Sequence, residues 1–239
     1  MTPGTDDAGT APSETSDAGP EDTSPRGPAQ VGSAAWHAMT EAVHRDLTRP
    51  RVPNARLWRW RMRRSIVLVG PMGAGKSAVG RLVGRLCGRA HVDADAVFVQ
   101  VHGSIPDFFA TFGEPEFRRA EEEVLAHLLG QHVPFVLSCG GGAVVSEATR
   151  RRLIASDALV VHLDVDERHA LQRVRGGANR PVLRGDPRGT WSRLQRERDP
   201  LYREVADLHV DTSGLATEDV AWRIVEEIRH PSKGSDRRP

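Results

Sequence analysis

Residues 70–77 read Gly-Pro-Met-Gly-Ala-Gly-Lys-Ser, a complete G-x-x-x-x-G-K-S phosphate-binding loop. Lys76 within this loop is one of only two lysines in the 239-residue chain, against thirty-one arginines. A chain that otherwise carries its positive charge on arginine has lysine where phosphate binding calls for a compact point charge. The stretch therefore predicts a nucleotide-phosphate site.

The residues on either side supply the context that this loop needs. Residues 65–69 are a short β-branched apolar run, and residues 78–86 carry a helical pattern. A strand, a glycine loop and a helix N-terminus together aim backbone N–H groups at a polyphosphate. In that arrangement Lys76 would bridge the β- and γ-phosphates, and the Ser77 hydroxyl would bind Mg²⁺. The alternative is a glycine-rich turn in which Lys-Ser occurs by chance.

Apolar strand candidates alternate with helical stretches from residue 65 onward. Strands are predicted at 65–69, 90–93, 134–138, 158–163 and 207–211. Helices are predicted at 77–87, 94–102, 105–111, 115–130, 146–155, 166–174, 189–205 and 216–229. This alternation predicts an α/β domain whose parallel sheet is covered on both faces and binds ligands at the carboxyl ends of its strands.

Composition divides the chain into four parts. Residues 1–32 form an acidic Pro/Ser/Thr-rich tail that is expected to be disordered, and residues 231–239 form a polar C-terminal tail. Residues 65–230 form the α/β domain, preceded by a basic Arg/Trp-rich arm or linker at 33–64 with a candidate helix over 34–47. The arm would either touch RNA or an anionic surface, or be a solvated linker whose tryptophans pack on the domain. A third possibility for this segment is that translation begins at Met62.

Overall composition and charge exclude several classes of protein. Hydrophobic content of 38% and charged content of 27% are typical of globular domains, and a net charge of +1 argues against nucleic acid as an obligatory partner. No apolar run reaches the length of a membrane span, and the acidic N-terminus does not read as a signal peptide. Two cysteines are too few for a disulfide framework, and the ten histidines lack the spacing of a structural metal site. A cytoplasmic monomer is expected.

Two carboxylates, Asp93 and Asp95, follow the second predicted strand. If the strand continues through them, both point toward the phosphate loop; if the chain has begun to turn, their directions diverge. Phosphoryl transfer needs one acid near Mg²⁺ and one near the acceptor hydroxyl. Read alone, the pair is equally well explained as a helix N-cap, with Asp95 as the capping residue.

Further motifs follow in a fixed order along the chain: Phe117-Arg118-x-x-Glu121, Gly140-Gly141-Gly142, Arg180-Pro181 and Arg198-x-Pro-Leu-Tyr202. Together with Asp-x-Asp, this set resembles the shikimate kinase family over residues 65–228. The glycine loop alone is generic to many kinases, whereas the ordered set is much more specific.

The resemblance implies a nucleoside-monophosphate-kinase-like fold with a five-stranded parallel sheet in the order 2-3-1-4-5. It also implies ATP-dependent phosphorylation of the 3-hydroxyl of shikimate, with Mg²⁺, in the pathway to chorismate and the aromatic amino acids. The partners are therefore expected to be small molecules, shikimate and ATP.

Matched residue by residue, the resemblance also implies a set of site residues. For catalysis these are Lys76, Asp95 as the base and Arg180 as a lid arginine. For the nucleotide they are Gly73, Ala74, Gly75, Lys76, Ser77, Ala78, Arg173, which would stack on adenine, and Arg180. For shikimate they are Asp95, Arg118, Gly140, Gly141, Gly142 and Arg198. For Mg²⁺ they are Ser77 and Asp93.

The chemistry of a carboxylic acid supports two arginines independently. Two guanidinium groups from separate segments would fix the plane of a small carboxylate as well as its charge. Arg118 could instead form a surface salt bridge with Glu121 or Glu122, and Arg198 could lie on a solvated helix face. The paired glycines of 175–180 predict a mobile lid or an ordinary loop. Two rival functions also stay open: another kinase of small polyol acids such as gluconate, and a catalytically silent nucleotide-binding module.

Overall fold

The computed structural model describes residues 28–49, 64–175 and 186–230. Five strands are present: β1 (Ile66–Val69), β2 (His91–Asp93), β3 (Val136–Ser138), β4 (Leu159–Asp164) and β5 (Leu208–Asp211). The helices are α1 (Ala34–Thr48), α2 (Lys76–Cys87), α3 (Ala94–His102), α4 (Ile105–Leu129), α5 (Glu147–Ala155), α6 (Glu167–Arg175), α7 (Pro187–Val205) and α8 (Thr217–Arg229). A 3₁₀ turn spans Ala143–Val145.

The strands form one parallel sheet in the order β2-β3-β1-β4-β5, which confirms the predicted fold class. Ile66 of β1 lies opposite Val136 of β3 on one side and Leu159 of β4 on the other. Because β1 is the central strand, the phosphate loop that follows it lies at the middle of the carboxyl edge of the sheet, where ligands of such folds bind.

Both faces of the central strand are buried. Val67 and Val69 belong to one hydrophobic cluster, whereas Ile66 and Leu68 belong to the other, and all four side chains are at most 1% exposed. Successive side chains of a strand point to opposite faces, so a strand covered on both sides needs a continuous apolar run rather than an alternating one. The run at 65–69 meets that need.

Helix α4 covers two predicted helices, 105–111 and 115–130. Its helical geometry is interrupted at Gly113, which has φ of 78°, and Pro115 follows two residues later. Proline removes a backbone donor and crowds the preceding turn, which places the kink at this point. The two predicted helices are therefore present as two segments of one kinked element.

Helix α1 packs on the domain through a single apolar stripe. Trp36, Met39, Val43 and Leu47 are buried, and Ser33 caps the helix by accepting a hydrogen bond from the backbone N–H of Trp36 at 3.5 Å. The four side chains belong to the same core cluster as residues of α3 and α4. The helix predicted at 34–47 is thus confirmed. The division of the chain at residue 64 stays a prediction, and Trp58 and Trp60 lie outside the described residues.

None of the helices in the described ranges has both the length and the apolar character needed to cross a bilayer.

Candidate active site

The phosphate loop lies between β1 and α2, as its motif requires. Gly75 caps α2 in a left-handed conformation (φ 86°), and Gly73 (φ 87°) lies so close to Ala170 that a Cβ atom would stand 2.7 Å from its carbonyl oxygen. Both positions therefore need glycine. The Lys76 Nζ donates to the carbonyl oxygens of Gly70 (2.8 Å) and Pro71 (2.9 Å), which holds the ammonium group over the loop.

Asp93 joins the phosphate loop to α3. Its Oδ2 accepts a hydrogen bond from the Ser77 hydroxyl, and its Oδ1 accepts from the backbone N–H groups of Asp95 (3.1 Å) and Ala96 (3.4 Å). Asp93 is therefore the N-cap of α3, so the alternative in which Asp95 caps this helix is wrong. Because β2 ends at Asp93 and α3 begins at Ala94, the chain has already turned before Asp95.

A cavity of about 600 Å³ surrounds the phosphate loop. Its lining includes all the expected nucleotide-binding residues that the structure describes: Gly73, Ala74, Gly75, Lys76, Ser77, Ala78 and Arg173. Arg173 donates to the carbonyl oxygen of Gly73 at 3.2 Å, and to the hydroxyl (3.0 Å) and carbonyl oxygen (2.7 Å) of Thr212. These bonds fix one wall of the cavity across α6 and the segment that follows β5. Arg180 lies outside the described residues.

A second cavity, of about 670 Å³, lies beside the first. All the expected shikimate-binding residues line it: Asp95, Arg118, Gly140, Gly141, Gly142 and Arg198. Apolar side chains from α3, α4 and α7 complete its wall: Val99, Ile105, Phe109, Phe117, Trp191 and Leu194. Phe109 and Phe117 border this space and also pack in the hydrophobic core, Phe117 as a buried member and Phe109 against its edge.

Arg118 is held by two acids of its own helix. Its Nη1 donates to Glu121 at 2.7 Å and its Nη2 donates to Glu114 at 3.2 Å, while its guanidinium lies 5.1 Å from the centre of the Phe117 ring. Glu121 is only 8% exposed. Burial raises the pKa of Glu121, and the neighbouring Arg118 opposes that rise. The salt bridge considered from the sequence therefore exists, but it lines a cavity.

Arg198 lies across the cavity from α4, on α7. Its Nη1 donates to the carbonyl oxygen of Gly141 at 3.2 Å, and the hydroxyl of Tyr202 donates to the same oxygen at 2.5 Å. Tyr202 is 1% exposed, and burial raises its pKa to about 12, so the hydroxyl stays a donor at neutral pH. Two side chains of α7 are thereby fixed against the glycine segment that follows β3.

The glycines at 140 and 142 allow charged side chains to approach the backbone. A Cβ atom on Gly140 would stand 2.7 Å from both Asp95 Oδ1 and Glu121 Oε1. A Cβ atom on Gly142 would stand 2.1 Å from Arg118 Nη1. Any larger residue would displace the charged groups that line the second cavity.

The two cavities share part of their lining. Met72, Asp95 and Gly141 border both spaces. Asp95 is exposed at this junction. A carboxylate there can reach a group in the second cavity and the end of a phosphate chain in the first.

Several residues of the site were not among the predicted site residues. Glu121 and Tyr202 belong to quoted motifs, so their place in those motifs was the available signal. Trp191 donates from its indole nitrogen to the carbonyl oxygen of Met72 at 3.0 Å, and Thr212 holds Arg173. No pattern in the sequence singles out these last two, because their roles depend on contacts between distant segments.

One further polar cluster consists of residues that line neither cavity. Among the described residues, His162, Asp164 and Asp199 can bring one ligand atom each within 4.8 Å of one another. Asp164 already accepts from the Val165 backbone at 2.8 Å, and Asp199 pairs with Arg203 at 2.7 Å. Both carboxylates thus have protein partners, and the spacing of these residues in the sequence did not reveal the cluster.

Comparison with known proteins identifies the family. The family model for shikimate kinase matches residues 72–229, which is more than half of the chain. This chain belongs to the shikimate kinase family. The shikimate kinase of Halorhodospira halophila is 45% identical over 172 residues, which cover 71% of this chain and 96% of that protein. Membership makes the chain a phosphotransferase that uses ATP to phosphorylate shikimate.

Solved structures of shikimate kinases share the fold. The enzyme from Acinetobacter baumannii in complex with shikimate is 36% identical, with a TM-score of 0.70, and the match covers 75% of this chain and 99% of that one. The enzyme from Aquifex aeolicus is 30% identical, with a TM-score of 0.61 and coverage of 71% and 99%. Neither rival function, a gluconate-type kinase or a silent binding module, is favoured by these matches.

Proposed function

We propose that the two cavities hold ATP and shikimate, and that the γ-phosphoryl group passes to the 3-hydroxyl of shikimate at their junction. One observation carries this proposal: Asp95 borders both cavities, with the loop lysine, Lys76, on one side and Arg118 and Arg198 on the other. Such a layout brings an acceptor hydroxyl and a phosphate chain together, which supplies much of the catalysis in phosphoryl transfer.

The acceptor side is suited to a small hydroxylated acid. Arg118 and Arg198 come from separate helices and would bind the carboxylate of shikimate, while the carboxylates of Asp95 and Glu121 would accept hydrogen bonds from ring hydroxyls. Gly140, Gly141 and Gly142 would let the ring approach the backbone closely. Binding energy from the carboxylate would thus position a distant hydroxyl.

Asp95 is the proposed base. The 3-hydroxyl oxygen attacks the γ-phosphorus, its proton passes to the Asp95 carboxylate, and the bond from the γ-phosphorus to the bridging oxygen of ADP breaks. Lys76 would neutralise charge on the β- and γ-phosphates, and Arg173 would stack on adenine. Arg180 is proposed as the lid arginine that reaches the transferred phosphoryl group, on the strength of the sequence resemblance.

Ser77 and Asp93 fit Mg²⁺. A hydroxyl and a carboxylate that already contact each other beside the phosphate loop supply the oxygen ligands that this ion prefers. When bound, Mg²⁺ neutralises charge that develops on the phosphate oxygens. Because Asp93 also caps α3, its carboxylate is fixed in direction.

We further propose a cytoplasmic location, where ATP is supplied.

A coupled assay of ADP release tests the function. The purified full-length chain is given ATP and Mg²⁺ with shikimate, with gluconate, or with no acceptor. We expect ADP release that depends on shikimate and a product phosphorylated at the 3-hydroxyl. Turnover of gluconate with none of shikimate would refute the assignment, as would ADP release at the same rate in all three mixtures.

A further inference from the structure

Helix α1 lies outside the part of the chain that matches the family, residues 72–229, and yet it is built into the core. Trp36 is 3% exposed and Met39 is fully buried. The indole nitrogen of Trp36 donates to the carbonyl oxygen of Ala29 at 3.1 Å, which fixes the ring. The helix therefore adds a buried element that lies outside the residues matched by the family model.

Trp36 lies at the junction of α3 and α4. The centre of its ring lies 6.3 Å from the ring centre of His102, the last residue of α3, and 5.8 Å from that of His127, near the end of α4. Both contacts are edge-to-face. Aromatic rings in this edge-to-face geometry attract each other beyond the effect of burial alone. One side chain thus holds the ends of two helices that together wall the shikimate cavity.

His102 acts in this junction as an aromatic ring. Both of its ring nitrogens are buried without a hydrogen-bond partner, and burial lowers its pKa. Its ring lies 4.7 Å from Phe98 and 5.5 Å from Phe108. The contacts of Trp36 therefore continue through His102 into the core between α3 and α4.

The same series of rings ends at the substrate cavity. The ring centres of Phe98 and Phe117 are 4.9 Å apart, and those of Phe117 and Phe109 are 4.3 Å apart. Phe109 lines the cavity. The guanidinium of Arg118 rests 5.1 Å from the Phe117 ring. Consecutive ring contacts thus join Trp36 to the arginine that is proposed to bind the shikimate carboxylate. No ring contact described for Trp36 reaches the nucleotide cavity.

We propose that Trp36 is a positioning residue for shikimate: through His102, Phe98 and Phe117 it holds the wall that carries Arg118. This inference rests on the proposed role of Arg118. Trp36 lines neither cavity, so it acts through the packing of α3 and α4 and affects the acceptor side selectively.

Steady-state kinetics of full-length variants test the inference. Trp36→Ala should raise the KM for shikimate by between about 2-fold and 30-fold, the range found for mutations that act through packed networks. The KM for ATP should change by less than about 2-fold, since a selective effect on one substrate is what positioning predicts. Trp36→Phe keeps a ring and should give a smaller rise; if the alanine variant fails to fold, this variant carries the test. Shikimate binding measured by calorimetry without ATP should weaken in parallel.

Leu47→Ala is the matched control. Leu47 is buried on the same stripe of α1, three turns away from the ring contacts, so its loss should lower the Tm and leave the KM for shikimate as in the wild type. Unchanged KM values for shikimate in the tryptophan variants would overturn the proposal. An equal rise in the KM values for shikimate and ATP would also overturn it, as would an equal rise in the KM for shikimate in Leu47→Ala. Arg118→Ala separates the two levels: if it raises the KM for shikimate and the tryptophan variants do not, only the role of Trp36 fails. A wild-type chain without shikimate-dependent turnover refutes the proposed function itself.

Discussion

Gly142 faces the guanidinium of Arg118 so closely that a Cβ atom would stand 2.1 Å from its Nη1. The conflict involves the end of a flexible side chain, which can move aside at little cost to the fold. Gly142→Ala should therefore raise the KM for shikimate about 10-fold, because a displaced arginine loses a charge-assisted hydrogen bond, while the Tm stays nearly unchanged. Steady-state assays and thermal melts of the variant check both parts.

A double-mutant cycle shows whether that effect acts through the arginine. In an Arg118→Ala background the added methyl group has nothing to displace, so the second substitution should change the KM for shikimate little. Equal effects of Gly142→Ala in both backgrounds would show that the glycine acts by another route.

Asp95→Asn tests the proposed base. The amide keeps the shape of the side chain but cannot take up the hydroxyl proton, so kcat should fall by about 10²- to 10⁴-fold. The affinity for ATP, measured by equilibrium binding, should stay close to that of the wild type, since Lys76 and the glycine loop are untouched. Retention of most of the turnover would remove Asp95 from the mechanism.

Asp93 combines two roles that a pair of variants can separate. Asparagine is a good N-cap, so Asp93→Asn should keep the stability of α3 but raise the Mg²⁺ concentration needed for half-maximal activity, by about 10- to 100-fold. Asp93→Ala should raise the Mg²⁺ requirement to a similar extent. It should also lower the unfolding free energy by about 1 kcal/mol, because the helix cap is lost. Mg²⁺ titrations and urea unfolding distinguish the two, and equal stabilities of these variants would argue against the cap.

His162 makes the stability depend on pH. The residue is 1% exposed, and burial lowers its pKa from 6.5 to about 4. Because the folded state disfavours the charged imidazole, the unfolded state takes up the proton first, and stability is lost as the pH falls from about 6.5 toward 4. We expect a loss of at most about 3 kcal/mol over that range, since each unit of pKa difference is worth about 1.4 kcal/mol.

The check is a series of unfolding free energies measured from about pH 7.5 down to about pH 4.5. This range includes the ordinary histidine pKa of about 6.5. His162→Gln should flatten this dependence, whereas the same change at His37, an exposed residue of α1, should leave it as in the wild type. An unaltered slope in the His162 variant would contradict the prediction.

Much of the fold was predictable from the sequence because local patterns and ligand chemistry agree. The run 65–69, the glycine loop and the alternation of strands and helices predict a parallel α/β sheet, and the family resemblance carried by the ordered motifs implies the order of its strands. The sequence does not decide between capping roles for Asp93 and Asp95, since either residue can accept backbone hydrogen bonds. Similarly, the apolar stripe of α1 shows that the helix is buried but carries no information on which helices it meets.

The site was predictable to a similar extent. Arg118, Arg198 and the three glycines line one cavity as expected, and their roles in binding stay predictions. The contacts that fix them are long-range: Tyr202 reaches Gly141, Trp191 reaches Met72, and Arg173 reaches Thr212. Such pairings join segments far apart in the chain, and propensity and spacing describe only near neighbours.

The border that Met72, Asp95 and Gly141 form between the two cavities has a consequence for inhibitor design. A bisubstrate compound that tethers an adenine nucleotide to a cyclohexene carboxylic acid would run its linker past Asp95. Occupying one half would raise the effective concentration of the other, so that two weak fragments become a single tight ligand. A tether that carries a hydrogen-bond donor opposite this carboxylate should bind more strongly than an all-carbon one of equal length.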